Sequence, residues 1–506
     1  MKARPRLYWA FNICFGVFFI GLCIVSIFWH DNPFVQMKKS LLLGTTVTFL
    51  VVALGAVILW QRIAWPLHHE IRTIVVLMTL YLLLQLLFGW QMQVGFDAEW
   101  DYPIVAKAAE ELVLHGVPPG EYFALFSNNG PLFWFYTGYF HLLYWFGSQD
   151  FVYGLIILNS LMIDLSFFFL YLTARQLWGK RGALPLLGAA MLCPAFLLYV
   201  PIAYTDTLTL PFVTGAVWLW LCARSRRMEG LPSGRWVAGA LALTALGAVL
   251  KMSVAVLAFA FALDLLVWWD GRGRLRLLAI GAACSATLWT GVNFASRAAM
   301  PPFEEKSVPF THWIMMGLHG NGGYWDPDYE LTLQYDTYEE RLVFTQGEIL
   351  RRLKEMGTEG LAKHCVAKLS YIISDGTCYA PEKLDRNHRG GEALNDFILK
   401  GGKYSSFLYY GADGLQLCLL ALCAVGSFLS LPRQQQQVTV FRIGVFGLLL
   451  FLLLWEARSR YLVNFLPLLL LCAADGLASL YKRQRHSPDG ISSSRKEMRK
   501  WDLNIR

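Results

Sequence analysis

Charge is what this sequence has least of. Only 16% of its 506 residues are Asp, Glu, Lys or Arg, where soluble domains carry roughly 25%, so an ordinary soluble globule is excluded. There is no Gly-x-x-x-x-Gly-Lys-Ser/Thr loop, which excludes nucleotide hydrolysis through a P-loop. A Gly-rich dinucleotide fingerprint and a His-Glu-x-x-His pair are missing too, which removes nicotinamide and zinc-protease chemistry. Ten cysteines occur without a Cys-x-x-Cys, and Cys14, Cys193, Cys284 and Cys472 stand singly inside apolar runs, as small core or lipid-facing residues do. Cys365 and Cys378 form the one pair in a polar region, and they could bridge if that region lies outside the cell. No basic patch with interleaved aromatics points to nucleic acid.

What is abundant is apolar length. The chain is 56% hydrophobic with mean hydropathy +0.43, and its apolar runs repeatedly approach the roughly twenty residues that cross a bilayer. The expected fold class is therefore an all-α membrane protein with about twelve transmembrane helices. The spans fall near 7–29, 40–60, 73–94, 152–174, 183–200, 207–223, 236–250, 252–269, 277–295, 405–430, 438–455 and 461–481. The first run is too long for a signal-peptide core and lacks a clear cleavage site, so it reads as a retained anchor. The stretch 131–147 is apolar but short and studded with Trp134, Tyr136, Tyr139, Tyr144 and Trp145; it reads as a helix lying in the membrane interface.

Charge orients these spans. With 131–147 outside, one side collects Arg62, Arg72, Arg175, Lys180, Arg181, Arg224, Arg226, Arg227, Arg235, Arg272, Arg274, Arg276, Arg433 and Arg442. Both termini fall on that side, with Lys2, Arg4 and Arg6 at one end and Lys482, Arg483 and Arg485 at the other. The positive-inside rule makes it the cytoplasm; Lys38, Lys39, Arg458 and Arg460 are the exceptions. A multi-pass cell-membrane protein with both termini inside is expected. Its parts would be an N-terminal membrane module over 1–296 containing an external loop 95–151, an external soluble segment 297–404, C-terminal helices over 405–482 and a basic tail 483–506. The external segment, about 110 residues, is too long for a structureless connection. It carries a helical pattern near 338–370 and reads as a small lid.

The sharpest feature is Phe96-Asp97-Ala98-Glu99-Trp100-Asp101-Tyr102, three carboxylates in five residues at the lip of a span. Acids there are costly to hold and mark a functional site. Apolar residues at Ile104, Val105, Ala108, Ala109 and Leu112 repeat at helical spacing. Asp101 thus stands at a helix N-terminus, where the dipole favours an ionised carboxylate and where a plain cap would also stand.

An apolar first span, then an external Asp followed by a helix with Ala109 and Leu112, resembles the GT-C class of multi-pass glycosyltransferases, which includes the protein O-mannosyltransferases and aminoarabinose transferases. Asp101 best fits their loop carboxylate, with Asp97 and Glu99 as rivals; the residue after Asp101 is Tyr102, where many relatives carry a second acid. Tyr122-Phe123 through Ser127-Asn128-Asn129-Gly130-Pro131 is similar to a Tyr-Phe…Pro-Asn-Asn stretch of a Gram-positive branch, with Ser127 in place of its first Pro. Tyr204-Thr205-Asp206, Leu250-Lys251, Thr311-His312-Trp313 and Glu456-Ala457-Arg458-Ser459-Arg460-Tyr461 follow in the same order.

The resemblance implies inverting transfer of a sugar from a polyprenyl-phosphate donor to a cell-envelope acceptor (protein, teichoic acid or glycolipid) on the extracytoplasmic face. Such a reaction needs a carboxylate to take the acceptor's proton and cations to hold the departing phosphate. Asp101, Asp97 and Glu99 are the candidates for the first task. Arg458, Arg460 and Lys251 suit the second. Asp206, His312, Asn128, Asn129 and Tyr461 are the further candidates for substrate contact. An oxygen-only site for Mg or Mn leaves little sequence trace, so the acidic cluster leaves that question open. A transporter or flippase of lipid-linked sugars is the alternative; against it stands the absence of an internal repeat.

Overall fold

The computed structural model describes residues 4–60, 62, 68–268, 273–301, 306–430 and 432–485. The tail from His486, together with Lys2 and Arg272, lies outside the described residues. Every regular element described is a helix. Those that matter below are α1 (Arg4–Phe28), α2 (Lys39–Trp60), α3 (Glu70–Gln91), α4 (Asp101–His115), α5 (Gly130–Trp145) and α6 (Phe151–Met191). They are followed by α7 (Leu210–Met228), α8 (Gly234–Leu250), α9 (Val256–Trp268), α10 (Gly273–Ala298), α11 (Phe310–Met316), α12 (Asp326–Leu333) and α13 (Tyr338–Ile373). The chain closes with α14 (Ala380–Asp385), α15 (Ser405–Leu429), α16 (Pro432–Leu454) and α17 (Leu466–Arg485).

Among the described residues, nine helices are long and apolar enough to cross a membrane, against about twelve expected. The difference has local causes. The segments 152–174 and 183–200 lie in one continuous helical run, α6, and count once, but that run is two helices meeting at a kink, where the backbone leaves helical geometry at Gly179 (φ 66°, ψ −176°), a conformation that glycine alone adopts without strain. Pro185 follows inside the same helix and a separate five-residue helix, Pro194–Leu198, completes the stretch. The segments at 236–250 and 252–269 form helices of 17 and 13 residues, α8 and α9. The stretch 131–147 forms α5, which packs on α4 and buries Phe133, Tyr136 and Phe140 while Tyr144 and Trp145 stay exposed.

α2, α3 and α10 lie at the periphery and leave most of their apolar residues exposed, among them Val51, Val52, Leu83, Leu87 and Phe294. Continuous apolar surface on this scale has lipid as its natural solvent. α15 and α17 pack closely against each other; a side chain at Gly476 would collide with the Leu422 carbonyl, so glycine permits the close crossing.

Polar side chains inside the bundle are paired. Asp264 accepts from Tyr8, Trp220 and Arg224, and Asp475 pairs with Arg442 at 2.6 Å with both side chains fully buried. Arg224 and Arg442, counted from sequence among cytoplasmic loop cations, are therefore core residues. Asp164 bonds Gln85 between two helices, and Asp413 on α15 bonds His30 and Asn32 of the loop between α1 and α2.

The expected helix near 338–370 is α13, opened by a capping box between Thr337 and Glu340 and broken at Gly357. Its C-terminal end and the residues after it share the continuous core of the bundle, through Ile372 and Ile373 and then Cys378, Ala380, Leu384 and Ile398. All ten cysteines are free thiols, and Cys378 is buried in that core, so Cys365 and Cys378 are not bridged.

Candidate active site

Several chain segments meet at one end of the bundle: the turn before α4, the stretch 122–130, residues 199–209, the α8–α9 junction, the turn 375–379 with α14, and residues 456–461. Their approach is fixed by hydrogen bonds. Asn159 on α6 donates to the carbonyls of Tyr199, Val200 and Ile202 at 2.8, 3.0 and 3.3 Å. Tyr199 in turn donates to the Cys378 carbonyl at 2.7 Å. Asp375 receives Thr377 N, Tyr379 N and Ser459 Oγ at 2.9, 2.6 and 2.8 Å, locking a turn in which Cys378 and Tyr379 both adopt left-handed backbone. The buried Asp375 carboxyl is pushed above its ordinary range by burial, with those donors working the other way.

Asp101 is the first residue of α4, and the cap position belongs to Trp100, which makes no side-chain cap bond. The carboxylate is instead aimed across the site. Tyr122 Oη donates to Asp101 Oδ1 at 2.7 Å, Asn129 Nδ2 donates to Tyr122 Oη at 2.6 Å, and Tyr204 Oη donates to Asn129 Oδ1 at 3.2 Å. Every proton in this chain is directed toward Asp101. One carboxylate oxygen is thus held while Oδ2 has no partner among the described residues. Burial and the adjacent Asp101 charge push the Tyr122 phenol well above its usual value, so it stays a donor.

The other two carboxylates of the cluster are disposed differently. Asp97 is half exposed and pairs with Lys107 at 2.8 Å and with Arg389. It ties the loop to 387–391, where Gly95 N reaches Asn387 O and Arg389 N reaches Gln93 O. Glu99 is exposed and lines a shallow surface cleft of about 410 Å³ with Phe96, Lys107, Glu111 and Pro118. Among the described residues no three His, Cys, Asp or Glu side chains converge as a metal set. Asp97 is engaged by two cations, and Tyr122 engages one oxygen of Asp101.

Cations gather opposite Asp101. Lys251 and Asp206 form an ion pair whose side chains are 11% and 2% exposed, with the ammonium 4.9 Å above the Tyr461 ring. Arg460 Nη2 donates to Tyr461 Oη at 3.1 Å, and Tyr461 donates to the buried Glu456. Arg458 lies 3.8 Å from Glu456 and stacks 4.7 Å over Tyr379. Among the described residues, the buried Nε atoms of Arg458 and Arg460 have no hydrogen-bond partner. Tyr204 feels the charges of Asp101, Arg460 and Asp206 together, which places the two halves within electrostatic reach. Asp206 caps nothing; its carboxylate is spent on Lys251.

The remaining sequence candidates divide. Asn129 is buried in the hydrogen-bond chain, whereas Asn128 is exposed beside it. His312, expected in a loop, is fully buried on α11, bonded to Thr332 at 2.8 Å, and burial lowers its pKa to about 4. Near it, Trp313, Phe126 and Tyr329 form an aromatic rim, and Tyr324 lies 6.0 Å from the Arg458 guanidinium; Tyr324 and Tyr329 both feel Asp101.

Tyr122, Tyr204 and Glu456 belonged to the motifs noted above, but their roles came only with the fold. Lys383, Lys368 and Tyr379 carried no sequence signal. Lys368 donates to the Gly317 carbonyl at 2.7 Å, and burial lowers its pKa to about 8.

Three solved structures are similar to this chain at low identity. The archaeal oligosaccharyltransferase AglB from Archaeoglobus fulgidus, in complex with an inhibitory peptide and a dolichol-phosphate, aligns at TM-score 0.41 and 12% identity over 81% of this chain and 51% of that one. A second structure of an A. fulgidus oligosaccharyltransferase, with Zn and sulfate, aligns at TM-score 0.39 and 12% identity over 76% and 49%. ArnT from Cupriavidus metallidurans bound to undecaprenyl phosphate aligns at 0.33 and 11% over 80% and 78%. The chain spans about half the length of the two archaeal proteins. No curated protein sequence matches it. Residues 5–479 match the sequence family described as conserved hypothetical integral membrane protein, and to that family this chain belongs.

Proposed function

We propose that this protein is a GT-C-type integral membrane glycosyltransferase, moving a sugar from a polyprenyl-phosphate donor to a cell-envelope acceptor at the extracytoplasmic face. The observation that carries the reading is the pairing of functions across one site. A carboxylate with one oxygen fixed and the other open shares one end of the bundle with arginines whose buried Nε donors have no hydrogen-bond partner among the described residues. The acceptor hydroxyl attacks the anomeric carbon while Asp101 Oδ2 takes its proton. The bond from that carbon to the phosphate oxygen breaks, and its electrons leave with the polyprenyl phosphate. Arg458 and Arg460 receive that charge, aligned by Tyr379, Tyr461 and Glu456. Lys251, neutralised by Asp206, orients Tyr461 rather than meeting the phosphate. The aromatic rim of Phe126, Trp313 and Tyr329 offers faces on which sugar rings stack. Asp97 holds the loop, and Glu99 faces the cleft beside it.

Sidedness follows from the same layout. α7 begins beside Asp206 and ends at Arg226 and Arg227, and α8 returns from Arg235 to Lys251. The site thus occupies the end opposite the basic loops, which the positive-inside rule assigns to the cytoplasm. The test is transfer of radiolabelled sugar from synthetic polyprenyl-phosphate donors by the purified full-length protein. Transfer that needs the lipid phosphate supports the reading; a protein that turns over no such donor, across a fair panel of acceptors, overturns it.

A further inference from the structure

Lys383 stands on the short helix α14, inside the segment tied to the acidic loop by Arg389 and Asp97. It is 6% exposed. Its ammonium sits 4.1 Å over the ring of Trp100, the residue before Asp101. No carboxylate pairs with it among the described residues. The charges it feels are three repulsive ones, Arg460, Arg386 and Arg458, and one attractive one, Asp101. A buried ammonium among guanidiniums, with only a ring face for compensation, is an expensive arrangement. Burial and those arginines push its pKa well below the lysine range, as expected of a cation without its anion.

The surroundings repeat the pattern. Lys251 is matched by Asp206, and Glu456 serves Arg458, which leaves Lys383 and Arg460 without an anion of their own in hydrogen-bond contact. Resting on the proposed function, the charge of the reaction explains the surplus. A polyprenyl-phosphate sugar is a phosphodiester with one negative charge. When the sugar departs, the leaving phosphate becomes a monoester and gains a second. Cations that match the second charge stabilise the transition state more than the bound donor, and only such differential contacts raise the chemical rate.

We propose that Lys383 is a phosphate-binding residue that, with Arg458 and Arg460, matches the second negative charge of the leaving polyprenyl phosphate. The cation–π contact with Trp100 holds the ammonium at the site before the phosphate arrives.

The experiment measures binding of three lipids to the full-length protein in detergent at pH 8: undecaprenyl phosphate, its methyl diester and undecaprenol. A phosphate monoester is a dianion at that pH, its second pKa being about 6, while the diester keeps one charge. The wild type is expected to prefer the dianion to the diester by roughly tenfold or more, the scale of one charge-assisted hydrogen bond. Lys383→Gln should lose that preference, and Lys383→Arg should keep it. Equal binding of monoester and diester by the wild type, or an undiminished preference in Lys383→Gln, overturns the role of Lys383 and leaves the proposed function standing. A wild type that binds neither phosphate better than undecaprenol overturns the proposed function itself. The wild-type comparison needs no variant, so a Lys383→Gln protein that failed to fold would still leave the proposal open to refutation.

Discussion

Asp101→Asn is the substitution whose outcome follows most directly from the geometry. Asparagine has the shape of aspartate, and its amide oxygen still accepts the Tyr122 hydroxyl in the 2.7 Å contact, so the hydrogen-bond chain through Asn129 and Tyr204 survives. What is lost is the basic oxygen on the open side. General-base catalysis contributes roughly 10²–10⁴-fold, which at about 1.4 kcal/mol per tenfold is about 3 to 5 kcal/mol of barrier. In a sugar-transfer assay with saturating donor, kcat should fall by at least roughly a hundredfold while affinity for the donor stays within a few fold. Asp97→Asn and Glu99→Gln should retain near wild-type kcat. Asp97 makes exposed ion pairs, which contribute about 0–1 kcal/mol, and Glu99 makes no contact with the hydrogen-bond chain. An Asp101→Asn protein with kcat near that of the wild type would refute the reasoning, and a Glu99→Gln protein without activity would move the base to Glu99.

Three further outcomes are expected. Lys251→Met leaves the buried Asp206 carboxylate unpaired and should cost about 3–5 kcal/mol of stability, read as a lower unfolding midpoint in detergent; the double variant with Asp206→Asn should recover most of it, and no recovery would contradict the pairing. His312 holds its pKa near 4 when folded against about 6.5 unfolded, so the unfolded segment binds more protons between those values and stability is lost as pH falls from about 6.5 to 4, by about 3 kcal/mol at most. Hydrogen exchange over 310–335 should therefore quicken across that window in the wild type and not in His312→Gln; equal acid sensitivity in both would assign the effect elsewhere. Asn128 and Glu229 are exposed near opposite ends of the bundle, so in a background without native cysteines Asn128→Cys should react with an impermeant maleimide on intact cells, and Glu229→Cys only after permeabilisation. The reverse pattern would invert the topology.

The helical segments were legible because bilayer thickness imposes a length on apolar runs that no other context demands. Between 152–174 and 183–200 the chain kinks at Gly179 with no irregular segment between, so the two apolar runs meet end to end inside α6. The acidic loop stood out in sequence as a candidate site, but three adjacent carboxylates look alike there. Only tertiary partners distinguish them, Arg389 for Asp97 and Tyr122 for Asp101. Arg224 and Arg442 read as loop cations because charge near a span end normally snorkels, and their burial depends on Asp264 and Asp475, far away in sequence. Lys383 lies in the run Pro381-Glu382-Lys383-Leu384-Asp385-Arg386, which has the look of a solvated charged turn. Its burial depends on Trp100, from a different part of the chain. His312 was hidden for the same reason, since nothing near it in sequence predicts its bond to Thr332.

The central claim is that a bond to phosphate is broken here, and sealed proteoliposomes holding the wild-type protein and a radiolabelled polyprenyl-phosphate sugar test it most directly. With acceptor present, free polyprenyl phosphate should accumulate in step with labelled product. Redistribution of the intact donor between leaflets, with no polyprenyl phosphate formed, would contradict the account and identify a carrier of lipid-linked sugars instead.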